Sequence, residues 1–151
     1  MSSISNWGPN TWIFFHTLAE KVKEDNFNII KNQLFNIILQ ISYNLPCPDC
    51  ANHAKIFWSK VNLNKINSKI DLKNVLFTFH NIVNKRKNKQ LYKYDDLNNY
   101  KNNKLIGSFN NFIKNFHTNG NMKLINESWR RSILLVKIRK WFLINLSNFE
   151  L

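Results

Sequence analysis

The chain has 151 residues, a length typical of one domain with enough material to bury an apolar core. Lys and Arg outnumber Asp and Glu by 22 to 9, and the formal charge of +13 creates a field that attracts anions. The sequence begins with no basic-then-apolar leader and has no run of about 18 apolar residues, so we expect neither secretion nor a membrane span.

Only three Gly and three Pro residues interrupt the chain, a composition that favours helices joined by short connections. Apolar periodicity predicts helices from Asn10 or Thr11 to 24, over 28–44, 48–60 and 71–88, from Asp95 or Asp96 within 94–116, and over 127–146. Asp71 is expected to cap the fourth helix, and Gly120-Asn121 indicates a break before the last. We predict an all-α fold: a four-helix bundle plus additional C-terminal helices, without a confident strand.

Cys47 and Cys50 are the only cysteines and form the motif C-x-x-C. Pro48 suits the first turn of a helix, which would place both sulfurs at a helix N-terminus, where a thiolate is stabilised. In a non-secreted protein such a pair is typical of a redox centre or of half a zinc site. Zinc would need two more ligands, with His53 nearby and the other histidines remote in sequence.

Two histidines lie on helices that are otherwise apolar. His16 follows Trp12 by one turn, and a lone histidine on such an aromatic face is usually a satisfied core residue. His80 and Asn84 share a face of the fourth helix, next to Asn81. Polar groups on a core-facing helix need partners, which a polar aromatic ligand such as a nucleotide would supply. The alternative is a solvated, Asn-rich face.

The basic residues have a simple interpretation as a solvated surface, and the chain lacks a nucleic-acid-binding motif, so nucleic acid is a disfavoured partner. The C-terminal part is too apolar to remain in water. Its large side chains are Trp129, Ile133, Leu134, Val136, Trp141, Phe142 and Leu143. Three interpretations stay open for this segment: packing on the bundle, a dimer or partner interface, or association with a membrane surface.

Three groups of residues follow one another at compatible spacings. They are Trp7-Gly8-Pro9 with Trp12 and His16, then Leu45-Pro46-Cys47-Pro48-Asp49-Cys50 with His53, then His80-Asn81-Ile82-Val83-Asn84 with Lys89. This pattern resembles the Erv/ALR family of FAD-linked sulfhydryl oxidases, above all the short enzymes of large cytoplasmic DNA viruses. The resemblance covers about residues 6–92 and implies an oxidase domain over 1–92 with a helical extension over 93–151.

Membership would imply a four-helix bundle that binds FAD, with the C-x-x-C beside the flavin ring. The residues that match cofactor-binding positions are Gly8, Trp12, His16, His80, Asn81, Val83, Asn84 and Lys89, and in some members His53. Cys50 resembles the cysteine that attacks the flavin, and Cys47 the outer one that meets substrate. Electrons would pass from substrate dithiols through this pair to FAD and then to oxygen, yielding hydrogen peroxide.

The chain departs from the family pattern in three respects. It has no second cysteine pair to act as an electron shuttle, none of the structural disulfides common elsewhere in the family, and Lys87 where Leu is usual. The resemblance therefore implies thiol-containing protein substrates that reach Cys47 directly or through a separate thioredoxin-like shuttle protein. It also implies a homodimer that oxidises virion proteins in the host cytoplasm or the virion.

Overall fold

The computed structural model describes residues 6–117 and 125–151, and these ranges are built of α-helices and short 3₁₀ helices. The α-helices are α1 (Trp7–Lys21), α2 (Glu24–Tyr43), α3 (Pro48–Ser59), α4 (Lys69–Arg86), α5 (Leu105–Asn115) and α6 (Ile125–Ile144). The 3₁₀ helices are Leu63–Lys65, Tyr94–Asn102 and Leu146–Asn148. Across these ranges the β pairing amounts to an isolated antiparallel bridge between Val22 and Phe149. The predicted all-α class is confirmed.

The start of α1 differs from the prediction. The helix begins at Trp7, and Asn10 and Thr11 lie inside it. Their side chains donate to the carbonyls of Asn6 and Trp7, four residues back, instead of capping the helix. Pro9 is compatible with this earlier start because the first-turn N–H groups have no partner within the helix.

The starts of α3 and α4 show one correct and one wrong prediction. Pro48 opens α3 as expected, and the Cys47 sulfur at the N-cap accepts from the Cys50 N–H at 3.2 Å. Ser68, rather than Asp71, caps α4, since its hydroxyl accepts from the Asp71 N–H at 3.2 Å. Asp71 lies in the first turn, where its negative charge complements the helix dipole.

The single helix expected from Asp95 or Asp96 is two elements. Both aspartates lie in the 3₁₀ helix Tyr94–Asn102, and α5 follows after a short extended connection. The side chain of Asp96 accepts from the Lys93 N–H at 2.9 Å, which fixes the first turn of the 3₁₀ helix. The break predicted at Gly120-Asn121 lies outside the described residues.

A cluster of phenylalanines joins α1 to the C-terminal helices. Phe14 of α1 lies 4.9 Å from Phe112 and 5.5 Å from Phe109 between ring centroids, and Phe109 stacks on Phe142 of α6 at 4.3 Å. All four rings are buried, and we call them the carbon cluster. Burying one such ring contributes on the order of 2 kcal/mol. This cluster contributes to the packing of α5 and α6 on the bundle.

The C-terminal segment thus packs back on the bundle, one of the three interpretations above, with Ile138, Phe142 and Phe149 buried. Trp129, Leu143 and Ile144 remain exposed. The division into 1–92 and 93–151 stays a prediction, although the two parts share one core. No helix in the described ranges is long and apolar enough to cross a bilayer.

Candidate functional site

A cavity of about 340 Å³, here called the α1–α4 cavity, opens between α1 and α4. Its volume lies in the range of sites for small organic ligands. Residues from the start of α1 form one wall, residues near the end of α4 form another, and the chain after α4 closes a third. Cys50 of α3 and Leu45 before it reach the same space. The cavity is therefore bounded by all four helices of the bundle or by their ends.

Aromatic rings lie at the inner wall of the cavity, and we call them the cavity cluster: Trp12, His80, Tyr92 and Tyr100 line the cavity, and His16 lies behind them. Trp12 lies parallel to His80, with a centroid distance of 4.0 Å and an interplanar angle of 4°. His16 stacks on Tyr100 at 4.8 Å, and its Nε2 is 2.9 Å from Nδ1 of His80. These residues meet because Trp12 and His16 occupy one face of α1, one turn apart, opposite His80 on α4.

Both histidines of the cavity cluster are neutral near pH 7. Burial, with a smaller effect of His80, lowers the pKa of His16 from 6.5 to about 3. Burial, together with the nearby Lys89, lowers the pKa of His80 to about 4. One ring therefore donates to the other. Nδ1 of His16 is buried and has no hydrogen-bond partner in the described part of the chain.

Cys47 and Cys50 form a disulfide across the first turn of α3. Cys50 lines the α1–α4 cavity, whereas Cys47, though half-buried as well, does not. The Cys47 sulfur receives the Cys50 N–H at the positive end of the helix dipole. The pair is thus asymmetric: Cys50 lines the cavity, and Cys47 lies at the N-cap of α3. Within the described ranges no three His, Cys, Asp or Glu side chains are grouped to hold a metal ion.

The chain turns sharply after α4 because Asn88 adopts a left-handed conformation, with φ of 56°. Asn tolerates this region better than most residues and often follows the end of a helix. The turn lets the Lys89 N–H donate to the Asn84 carbonyl at 2.8 Å. Asn81 then holds Tyr92 at two points, accepting from its N–H at 2.8 Å and donating to its carbonyl at 3.1 Å. These bonds place Tyr92 in the cavity wall.

Three cations border the cavity: Arg86, Lys87 and Lys89. Burial, Lys89 and Arg86, in that order, lower the pKa of Lys87 against an opposing effect of Asp49. Asp49, between the two cysteines, accepts from Arg86 at 3.3 Å. The positive charges therefore repel one another beside an open space, where an anionic ligand group would relieve the repulsion.

Most of the residues predicted from the sequence meet at this cavity. Its lining includes Gly8, Trp12, Cys50, His80, Val83, Asn84 and Lys89. His16 and Asn81 support the lining from behind, through His80 and Tyr92. His53 lies outside, exposed on α3, with Nε2 3.6 Å from Asp49. Gly8 has no positive φ, and a Cβ added to it would meet no atom of the described residues within 4 Å, so a glycine there is compatible with close approach of a ligand.

Sequence reasoning missed Tyr92, Tyr100 and Arg86 as lining residues. The tyrosines reach the cavity only because of the turn at Asn88 and the 3₁₀ helix that follows, for which no periodic signal exists. Arg86 could have been found, because it lies one turn beyond Ile82 and Val83 in the basic run 85–89 at the end of α4. Taken together, the lining suits a flat aromatic ligand that carries an anionic group.

The chain is similar to one known protein family and to several viral proteins. Residues 9–103 match the model of the Erv1 / Alr family. A FAD-linked sulfhydryl oxidase of African swine fever virus (isolate Tick/Malawi/Lil 20-1/1983) is 33% identical over 94 residues, which are 62% of this chain and 78% of the relative. A putative FAD-linked sulfhydryl oxidase, 347L, of Invertebrate iridescent virus 6 is 28% identical over 91 residues, covering 56% and 82%. No solved structure matches the chain.

Proposed function

The chain belongs to the Erv1 / Alr family, and on that premise we propose that it is a FAD-linked sulfhydryl oxidase that forms disulfide bonds in protein substrates. The observation that carries the proposal is the position of Cys50. One cysteine of a C-x-x-C disulfide lines a cavity that is walled by aromatic rings and bordered by cations. A thiol pair beside such a cavity is what electron transfer to a bound flavin nucleotide requires.

The residues of the α1–α4 cavity fit FAD in two ways. Trp12 and His80 stack on each other and give the cavity a flat aromatic side, and His16 would act from behind by holding His80. Lys89 and Arg86 offer positive charge to the pyrophosphate. The chemistry that bound FAD supplies is two-electron transfer from the thiol pair to oxygen, with hydrogen peroxide as the product.

The remaining predicted cofactor-binding residues have proposed roles of two kinds. Gly8, Val83 and Asn84 line the cavity and would contact the cofactor directly. Asn81 would act by positioning Tyr92. His53, exposed beside Asp49, stays a prediction that rests on the family resemblance alone.

The thiol exchange begins at Cys47. A substrate thiolate attacks the Cys47 sulfur, the Cys47–Cys50 bond breaks, and Cys50 leaves as a thiolate. A second substrate thiolate then attacks the substrate sulfur of the mixed disulfide and releases Cys47. The substrate has lost two electrons and gained a disulfide, and the enzyme holds a reduced pair with Cys50 at the cavity.

The N-terminus of α3 favours the second of these displacements. The Cys50 N–H points at the Cys47 sulfur, and the helix dipole adds positive potential there. Both effects stabilise the thiolate that leaves when the mixed disulfide is resolved, and a stabilised thiolate is a better leaving group. The local structure thus gives Cys47 the properties of the outer, exchanging cysteine.

We further propose that the substrates are virion proteins, since the relatives named above are viral, and that they are oxidised in the host cytoplasm or the virion. They would meet Cys47 directly or through a thioredoxin-like shuttle protein, and the enzyme would act as a homodimer. The oxidase domain would span 1–92, with Tyr100 of the extension completing the cavity wall.

Purification and oxygen uptake test the proposal together. The purified protein should be yellow, with about one flavin per chain, and should consume oxygen when given a dithiol such as dithiothreitol. Cys47→Ser and Cys50→Ser should abolish this turnover because neither variant can form the disulfide. Ser59→Ala, an exposed change on the same helix, should keep it. A colourless protein, or full turnover in both cysteine variants, would refute the proposal.

A further inference from the structure

A second cavity, of about 370 Å³, lies on the other side of the disulfide turn, and we call it the α3–α6 groove. Pro46 and Pro48, the residues on either side of Cys47, line its edge. Lys55 of α3 and Arg130 and Arg131 of α6 also line it. A protein segment bound here would lie next to both chain neighbours of Cys47, the cysteine that the proposed exchange attacks first.

The charged groups at this groove are incompletely paired. Arg131 is only 5% exposed, yet its Nε and Nη2 have no hydrogen-bond partner in the described ranges. Oε2 of Glu127, one turn earlier on α6, is likewise buried without a partner there. Burying charged hydrogen-bonding groups without partners is costly, so such groups in a folded protein require an explanation.

Burial and the neighbouring Arg130 lower the pKa of Arg131, while Glu127 opposes them. The guanidinium therefore carries a charge that its surroundings only partly balance. A carboxylate in the groove would accept from Nε and Nη2 in the side-on geometry that guanidinium groups favour.

The unpartnered oxygen of Glu127 decides what kind of molecule carries this carboxylate. Glu127 needs a donor, which a peptide provides through its main-chain N–H groups. A nucleic acid would supply phosphates for Arg131, but its backbone has no N–H group to donate to Glu127. Arg131 lacks an acceptor and Glu127 lacks a donor. An acidic peptide segment supplies both, the acceptor as a side-chain carboxylate and the donor as a main-chain N–H.

We propose that the α3–α6 groove binds an acidic segment of the substrate protein next to its cysteine, with Arg131 pairing with the carboxylate, and so selects substrates for Cys47. This inference rests on the proposed oxidase function and adds the substrate class. It also gives α6 a role in specificity in addition to packing.

Two labelled peptides test the inference by equilibrium binding. In both, a serine replaces the substrate cysteine; one has aspartates around it and the other has asparagines in their place. The wild-type protein should bind the acidic peptide about tenfold more tightly at low salt, the scale of one charge-assisted hydrogen-bonded pair. Arg131→Gln should bring the ratio of the two affinities close to one. The acidic peptide should also compete with a dithiol peptide for oxidation.

Arg139→Gln is the matched control, because it removes the same charge from an exposed position of α6 outside the groove. It should keep the preference. If Arg131→Gln does not fold, as judged by circular dichroism, Arg130→Gln should weaken the preference in its place.

Three results would overturn the inference. The first is an equal affinity of the wild-type protein for both peptides. The second is a loss of the preference in Arg139→Gln as large as in Arg131→Gln, which would show that the effect depends only on net charge. Displacement of the acidic peptide by a short oligonucleotide in the wild-type protein but not in Arg131→Gln would assign the groove to phosphate. Dithiothreitol oxidation separates the two proposals: turnover without a peptide preference refutes only this inference, whereas a preference without turnover refutes the oxidase and, with it, the selection of substrates for Cys47, and leaves only a groove that binds acidic peptides.

Discussion

The two faces of α1 carry aromatic clusters of opposite character. On one face, Phe14 joins the carbon cluster, in which every ring is all-carbon and buried. On the other, Trp12 and His16 join the cavity cluster, whose rings carry nitrogen and oxygen atoms and border an open space. Phe14 is two residues from both Trp12 and His16, and two residues of a helix are enough to place side chains on opposite faces.

The difference shows how a small bundle divides stability from binding. The carbon cluster is complete, since its rings pack against one another and carry no polar atom that requires a partner. The cavity cluster is incomplete, because a buried nitrogen of His16 lacks a partner among the described residues and nearby cations repel one another. We therefore expect changes to the first cluster to reduce the stability of the fold and changes to the second to reduce cofactor binding.

The largest expected effect is on the carbon cluster. Phe14→Ala should lower the free energy of unfolding by about 3–5 kcal/mol, because it removes a fully buried ring and leaves a cavity. Urea unfolding measures the loss. Phe77→Ala, at a half-buried ring of α4 that contacts Tyr94, should cost less. If Phe14→Ala kept its stability but lost the flavin, the division between the clusters would be wrong.

The cavity cluster should make stability depend on pH. In the folded protein the pKa of His16 is about 3 and that of His80 about 4, both below the ordinary 6.5. Unfolding therefore takes up protons from about pH 6.5 down to about 4 at His80 and about 3 at His16. The stability that these histidines contribute is full above this window and is lost as the pH falls through it.

From pH 7 to pH 5 we expect a loss of about 2 kcal/mol per buried histidine at most, measured by urea unfolding. The double variant His16→Gln, His80→Gln should flatten this dependence. His117→Gln, at an exposed residue, should leave it unchanged. An unchanged slope in the double variant would show that other groups cause the effect.

The smallest expected effect concerns Trp12. Trp12→Leu should weaken flavin binding about tenfold, since it removes the ring that stacks in the cavity. The free energy of unfolding without flavin should fall by less than in Phe14→Ala, because Trp12 is only partly buried. Fluorescence titration with FAD measures the affinity. Trp129→Leu, at a 68% exposed ring, should alter neither quantity, and a matching loss of affinity there would contradict the assignment.

The parts of the site that the sequence predicted depend on local rules. Pro48 marks the start of α3 because proline fits the first helical turn, and this places Cys47 at the N-cap. Trp12 with His16, and His80 with Asn84, share faces because of their spacing along a helix. Such relations need no knowledge of the rest of the fold.

The parts that the sequence did not predict depend on the path of the chain. Tyr92 and Tyr100 enter the cavity only because the chain reverses at Asn88. The burial of Arg131 depends on how α6 lies against α3, which a helical pattern does not specify. The early start of α1 at Trp7 was missed because no side chain caps it.

Two hydrogen bonds join the Asn81 side chain to the main chain of Tyr92. They indicate which residues of the connection after α4 are constrained and which are free to change. Asn81 lies on α4 and bonds only to backbone atoms of Tyr92. The path of the connection is therefore set by a helix residue and not by the side chains of the connection itself. The side chain of Leu91, which is exposed and does not line the cavity, can then change in evolution or be redesigned while Tyr92 stays in the cavity wall.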